Sequence, residues 1–201
     1  MKLSNEDKKA ILLHSAVVAV ARDGLENTTT RSINAEAHLN EVYLYRNFKD
    51  KDELLAKAYL QENDKLMSIL LQAITYESQF IGKQPLKERT AYCLNAAWKY
   101  LTSHIEECKY LVYYYNSPGF TKNAMENHLY WLDRLATVLL PTIPDKEEAK
   151  TMLYIVFNSV YGFAMQVANG QLPNTEETEE MVLRNIYTGI AACYEKAHAG
   201  K

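Results

Sequence analysis

The chain has few of the residues that break helices or cross-link a fold. Its 201 residues include seven glycines, five prolines and three cysteines. So few breakers leave room for long helices. Cys93, Cys108 and Cys193 are odd in number and far apart. They show neither metal-ligand spacing nor a disulfide framework, so buried, reduced thiols are expected. The polar start MKLSNEDKK lacks the apolar core of a signal peptide. No apolar run approaches the ~18 residues that cross a bilayer, so the expected compartment is the cytoplasm and no membrane partner is expected. An excess of one charge is also missing: Lys and Arg number 22 against 25 Asp and Glu, a net charge of −3. Residues 1–59 carry nine of each sign, which leaves thirteen against sixteen for the rest. This excludes a generally basic nucleic-acid binder, and any DNA affinity must come from placed contacts rather than a strong field. There is no Gly-rich phosphate loop, no His-Glu-x-x-His, no Gly-x-Ser-x-Gly and no Cys/His cluster. Catalytic residues, a metal site, a cofactor and an enzymatic role are therefore not expected.

What is present is helical periodicity. Ser4 followed by Asp7 resembles a capping box, and Ile11, Leu12, Ala16, Val17, Ala19 and Val20 form a stripe that Gly24 ends. This predicts a helix over about 5–23. Thr28 or Thr29 can cap a second helix that runs to about Ala37, with Ile33 and Ala37 on one face. His38-Leu39-Asn40 makes a turn, and Asn40 is a good cap for a third helix over 41–47. Leu39, Leu44 and Phe48 are its inward anchors. Asp50 and Glu53 open a long helix with the stripe Leu54, Ala58, Leu66 and Leu70. A helix, a tight turn and a second short helix are the commonest device for presenting a helix to the DNA major groove.

Further back, residues 78–85 read as a loop ending at Pro85. A stripe of Leu86, Thr90, Cys93, Ala97, Leu101, His104 and Cys108 predicts one helix, extended by an apolar, aromatic run over 109–115. Ser117-Pro118-Gly119 ends it. A helix through Met125, Leu129, Leu132, Ala136 and Leu139 follows, and Pro141 and Pro144 break the chain. The last two helices are expected over 145–169 and 176–198, the second built on Val182, Leu183, Ile186, Ile190, Cys193 and Tyr194. The first of them is apolar nearly all round. Burying one face in the domain and another on a twin subunit would satisfy such a helix.

Together, Gly24, Thr28-Thr29, Ile33 and the run Leu44-Tyr45-Arg46-Asn47-Phe48-Lys49-Asp50-Lys51-Asp52-Glu53-Leu54-Leu55 resemble the front signature of the TetR family of bacterial transcriptional regulators. The resemblance covers about the first 60 residues. The back two-thirds is similar only in length and helical pattern. Three positions depart from the family pattern: His38 stands where the turn usually has Gly, Val42-Tyr43 where Gly-Thr is common, and Asn34 where Ala follows Ile.

The resemblance implies an all-α fold. Residues 1–50 would form a three-helix helix-turn-helix DNA-binding domain, and 51–201 a helical ligand-binding and dimerisation domain. It implies phosphate contacts from Tyr45 and Lys51, and Thr29 and Thr30 can donate to phosphate in the same way. Base reading falls to Glu41, Val42, Tyr43 and Arg46, since Arg suits guanine, Glu accepts from cytosine, and Val or Tyr touches a thymine methyl. The expected partners are a palindromic duplex operator, a second copy held through the last two helices, and a small-molecule effector of unknown identity. For the effector, Tyr92, Trp98, His104, Tyr114, Trp131, Asn158 and Gln166 are the candidate contacts, in a region rich in aromatics. The expected function is a ligand-released repressor. The alternative is a helical small-molecule-binding protein that has lost sequence-specific DNA reading.

Overall fold

The computed structural model describes residues 3–76, 86–139, 143 and 145–198, and they form ten helices without a strand among them. In order these are α1 (Asn5–Asp23), α2 (Thr30–Ala37), α3 (Val42–Asn47), α4 (Lys51–Tyr76), α5 (Leu86–Ser103), α6 (Ile105–Tyr115), α7 (Pro118–Asn123), α8 (Met125–Leu139), α9 (Lys146–Ala168) and α10 (Glu176–His198). The chain divides into two compact units. The first joins Met1–Lys65 to His104–His128; the second joins Leu66–Ser103 to Leu129–Lys201.

In the first unit α1 is the central post, packed by α2, α3 and α6. Its capping box is complete: the Ser4 hydroxyl accepts from the Asp7 N–H at 3.0 Å, and the Asp7 carboxylate accepts from the Ser4 N–H at 2.9 Å. The far end stops at Gly24, whose φ of 80° and ψ of 158° lie in a region that essentially only glycine enters. Leu12, Ala16, Val17 and Val20 are buried on α1, Ile33 on α2 and Leu44 on α3, with Phe48 buried just past the end of α3. Burial of each large aliphatic side chain is worth about 1.5–3 kcal/mol. The helix-turn-helix therefore folds on the α1 side chains that the sequence pattern marks.

The unit is larger than residues 1–50, because the first half of α4 and the segment 104–128 close around it. They contribute an aromatic cluster. Tyr59 stacks on Tyr114 at 4.8 Å and meets Phe120 edge-on at 5.6 Å, and Tyr115 packs against both Phe120 and His128. The buried Tyr110 hydroxyl donates to the Leu55 carbonyl at 2.6 Å and ties α6 to α4.

Two sequence expectations change here. The helix expected to run unbroken from Leu86 past Cys108 is interrupted at His104, whose φ of −124° and ψ of 72° are not helical. A single non-helical residue leaves the apolar spacing almost in step, so Leu101 and Cys108 are both buried and the stripe conceals the break. Ser117-Pro118-Gly119 begins a helix as well as ending one: the Ser117 hydroxyl accepts from the Phe120 N–H, and Pro118 takes the first turn of α7. The expectations for 78–85, Pro141 and Pro144, and for the side chains of Ile190, Cys193 and Tyr194, lie outside the described residues.

In the second unit α5 packs on α9 and α10, which also pack on each other. Leu153, Phe157, Val160, Ala164 and Val167 bury one side of α9, and Val182, Leu183 and Ile186 one side of α10. Asn174 donates to the Thr102 carbonyl and Asn95 to Glu179, joining α5 to the start of α10. Asp133 takes Lys146 and Lys150 and joins α8 to α9. By length and mean hydropathy α9 could cross a membrane, although Asn158, Ser159 and Gln166 interrupt its apolar run. Its exposed side, however, carries Asn158 and Gln166 beside Ile155 and Gly162, and exposed side-chain amides are costly in hydrocarbon.

His128 gives a test of the first unit. Burial among Tyr115 and Phe120 lowers its pKa from 6.5 to about 4. The unfolded imidazole therefore takes up its proton near pH 6.5 and the folded one only near pH 4. Stability is full above that window and falls as pH drops through it. Linkage puts the loss at roughly 2 kcal/mol between pH 8 and pH 5. Denaturant unfolding at the two pH values should show this loss in the wild type and most of it missing in His128→Phe.

Candidate nucleic-acid interface

The interface is built by α2, the turn and α3. Thr29 caps α2: its hydroxyl oxygen accepts from the Ser32 N–H at 3.1 Å, while the Ser32 hydroxyl accepts from the Thr29 N–H at 2.9 Å. Its own proton reaches only a 3.4 Å contact with Ser32, so it can turn to an outside acceptor. Thr29 is exposed and Thr30, the first residue of α2, is half-buried. Both stand where a helix N-terminus favours phosphate.

The turn is closed by a left-handed residue. His38 has φ 51° and ψ 34°. The His38 N–H donates to the Ala35 carbonyl and the Leu39 N–H to the Asn34 carbonyl, the paired bonds of a Schellman end. The departure from glycine is thus accommodated, at the cost of an unfavourable backbone. Asn34, the other departure, is buried. Its amide nitrogen donates back to the Thr30 carbonyl at 2.7 Å, and its oxygen has no hydrogen-bond partner among the described residues.

Asn40 opens α3 by accepting from the Val42 N–H at 2.9 Å, although the residue just before the helix is Glu41. Leu44 is fully buried. Glu41, Val42, Tyr45 and Arg46 are exposed and share one face by helical spacing. Val42 at 53% and Tyr45 at 56% exposure offer substantial apolar surface to a partner. Tyr43 behaves differently: it is half-buried, with the Lys8 ammonium 4.0 Å and the Arg46 guanidinium 5.7 Å from its ring centroid.

Lys51 starts α4. Its ammonium donates to the Thr28 carbonyl at 2.8 Å, just ahead of the α2 cap. Two of its three N–H groups remain for other acceptors. The N-terminus of α4 is itself capped, with Asp50 accepting from the Glu53 N–H at 2.9 Å and Glu53 from the Lys49 N–H at 2.6 Å. Lys57 holds Glu53, and these bonds keep its carboxyl below the usual range.

The candidate effector residues are not brought together. His104 and Tyr114 belong to the first unit and the other five to the second. His104 is exposed ahead of α6, and Tyr92 is exposed with its ring 5.5 Å from that of Tyr76. Trp98 is fully buried, and Trp131 is buried with Arg134 5.1 Å from its ring. Asn158 and Gln166 are exposed, and Asn158 donates to the Tyr154 carbonyl of its own helix. A cavity of about 210 Å3 opens in the first unit, lined by Leu25, Glu26, Lys51, Asp52, Tyr114 and Pro118 among others. It includes Tyr114 and none of the other six. Among the described residues no group of His, Cys, Asp and Glu could hold a metal ion. Burial raises the Cys108 thiol to about 12, which leaves it inert as a redox sensor.

Residues 12–58 match the model of bacterial regulatory proteins of the tetR family. That match spans α2, α3 and the turn between them, with parts of α1 and α4. A comparison with curated proteins gives no match. The fold is shared with solved structures. A TetR family transcription regulator from Marinobacter aquaeolei VT8 superimposes with a TM-score of 0.71 at 18% identity, over 91% of this chain and 95% of the other. A TetR-like transcriptional regulator from Rhodococcus sp. RHA1 gives 0.69 at 19% identity, over 94% and 99%. FadR from Bacillus subtilis, solved in complex with stearoyl-CoA, gives 0.70 at 17% identity, over 90% and 98%. The chain thus joins a TetR-type front domain to a body that shares the fold of solved TetR-like regulators.

The reading missed Lys8, because a cation placed on a ring 35 positions away leaves no trace in local spacing. The left-handed His38 gives the prediction here. A left-handed L-residue costs ~1–2 kcal/mol, and glycine gives back ~0.5–1 kcal/mol in unfolded-chain entropy. His38→Gly should therefore raise unfolding free energy by about 0.5–1 kcal/mol, measured by chemical denaturation.

Proposed function

We propose that the protein is a ligand-released repressor that binds a palindromic operator as a homodimer in the cytoplasm. The observation that carries this reading is the exposed face of α3, where Glu41, Val42, Tyr45 and Arg46 point away from a buried Leu44. Arg46 suits guanine, Glu41 accepts from cytosine N4, and Val42 fits a thymine methyl. Tyr45, Lys51, Thr29 and Thr30 serve as phosphate anchors, which set register without reading sequence.

Dimerisation rests on α9 and α10. Their sides away from the unit's core expose Ile155 and Met181, with open space above Gly162 and Gly189. Apolar and small residues of this kind let a second helix pair approach closely. Two readers would then enter successive major grooves about 34–36 Å apart, or at a related longer spacing.

The effector is an apolar or aromatic small molecule bound by the rear helices. The aromatic content of these helices supports that chemistry, as does the stearoyl-CoA with which the Bacillus subtilis neighbour was solved. Release requires that effector and operator favour different states of the dimer, with a coupling of ~1–3 kcal/mol. Coupling is reciprocal, so equal effector affinity with and without operator would exclude this switch.

Binding to a duplex selected from genomic DNA tests the anchors. Lys51→Ala should lower the slope of log affinity against log salt by about 0.9 per dimer half-site, because one cation no longer displaces a counterion. Tyr45→Phe removes a neutral donor, so affinity should fall about fivefold per dimer half-site on every sequence, the worth of one hydrogen bond, with the slope unchanged. An unaltered slope in Lys51→Ala would show that Lys51 serves only its bond to Thr28.

A further inference from the structure

We infer that Lys8, on α1, is a positioning residue for the recognition helix, and that Tyr43 is the platform through which it acts rather than a base-reading group. This rests on the reading of α3 as the DNA reader.

Two cations converge on one ring. The Lys8 ammonium lies 4.0 Å from the Tyr43 ring centroid, and the Arg46 guanidinium lies 5.7 Å from it. Both fall within the ~6 Å over which a ring's negative face attracts a cation. Tyr43 is half-buried, whereas the neighbouring Val42, Tyr45 and Arg46 are exposed. The ring is thus turned toward α1 and away from the face that meets DNA.

A second contact between the same two helices fixes this arrangement. The Asn5 amide donates to the Asn47 amide oxygen at 2.9 Å, and the Asn47 nitrogen returns to Asn5 at 3.5 Å. Asn47 also donates to the Tyr43 carbonyl at 2.8 Å. Asn5 and Lys8 are three residues apart, one turn of α1, so the first turns of α1 hold α3 at two points.

The consequence concerns Arg46. Its side chain is long, exposed and rich in rotamers. A ring held in one orientation restricts the sector that the guanidinium occupies. Lys8 holds the ring by its charge, and the ring directs Arg46 without hydrogen-bonding to it. Lys8 therefore sets base preference at the position Arg46 reads while itself touching no base.

The test uses the full-length protein and a duplex selected from a pool with a randomised 20-base-pair core. Affinity is measured on that duplex and its single-base variants across a salt series, and Arg46→Ala identifies the base position concerned. Lys8→Met should relax preference there by at least about fivefold, the lower end of what one base contact discriminates, with the salt slope unchanged. Lys8→Arg should restore preference. Tyr43→Phe should behave as wild type, and Tyr43→Leu as Lys8→Met. The inference is overturned if Tyr43→Phe loses as much preference as Tyr43→Leu, since the phenol then reads the base. It is also overturned if Lys8→Met lowers the slope by about 0.9 per half-site with preference intact, which marks a phosphate contact, or if Lys8→Met is indistinguishable from wild type. Should Lys8→Met fail to fold, the two Tyr43 variants decide alone. Failure of the folded wild type to enrich any duplex would overturn the DNA-reading assignment itself, an outcome distinct from an enriched duplex whose preference Lys8→Met leaves intact.

Discussion

A helix of six residues does not hold its shape in water, since nucleation costs more than so few backbone bonds return. Everything the front unit offers to DNA depends on the burial that keeps α3 helical. Leu44 and Phe48 are buried, as are Leu12, Ala16 and Val20 of α1 and Ile33 of α2, and α1 packs on both short helices. These contacts are non-directional. They secure the existence of α3 and leave its rotation to polar groups: the Asn40 bond at its start, the Asn5–Asn47 pair, and the cation on Tyr43. Apolar burial supplies the stability, and a few directed contacts supply the geometry that specificity needs.

The same groups serve folding and recognition in turn. The Thr29 hydroxyl caps α2 with a lone pair, and its proton makes only a 3.4 Å contact with Ser32, which is what the proposed phosphate contact requires. Lys51 spends one N–H on the Thr28 carbonyl, which anchors the segment carrying that cap. An anchor already held by a neighbour loses less conformational freedom on binding than a solvated lysine would. The near-neutral charge of the front segment is consistent with this design. In the proposed mode of binding, affinity rests on a few cations fixed in place, since a strong field of many is absent.

Most of the front unit was legible in the sequence because its signals are local. Capping residues act over three positions, glycine acts at one, and burial repeats every three or four. Hence α1, α2 and α4 begin within a residue or two of where Ser4, Thr29 and Asp50 place them. Signals that cross the chain were not legible. Neither the Lys8–Tyr43 pair nor the closure of 104–128 around the helix-turn-helix leaves a periodic trace. The break at His104 escaped for the opposite reason, since periodicity survives one non-helical residue. The candidate effector contacts are marked in the sequence chiefly by residue type. Type does not say which side of a helix faces inward, so Trp98 is fully buried while Tyr92, Asn158 and Gln166 are exposed.

The face of α9 shows why composition alone misleads. A 23-residue helix with so few charges meets the length and apolarity of a membrane span, yet only 33% of its most apolar window is buried in the chain. Lipid would accept Ile155 but would desolvate the Gln166 amide and the Asn158 amide oxygen, only the Asn158 nitrogen keeping its bond to the Tyr154 carbonyl. Water would accept the amides but leave Ile155 exposed, together with Met181 of α10. A second protein surface satisfies both demands, because packed side chains can bury the apolar groups and bond the polar ones within the same interface. Gly162 and Gly189 add the clearance for a close approach. The mixture of residues on this face, more than its mean hydropathy, is the physical ground for reading it as a surface that another copy of the chain covers.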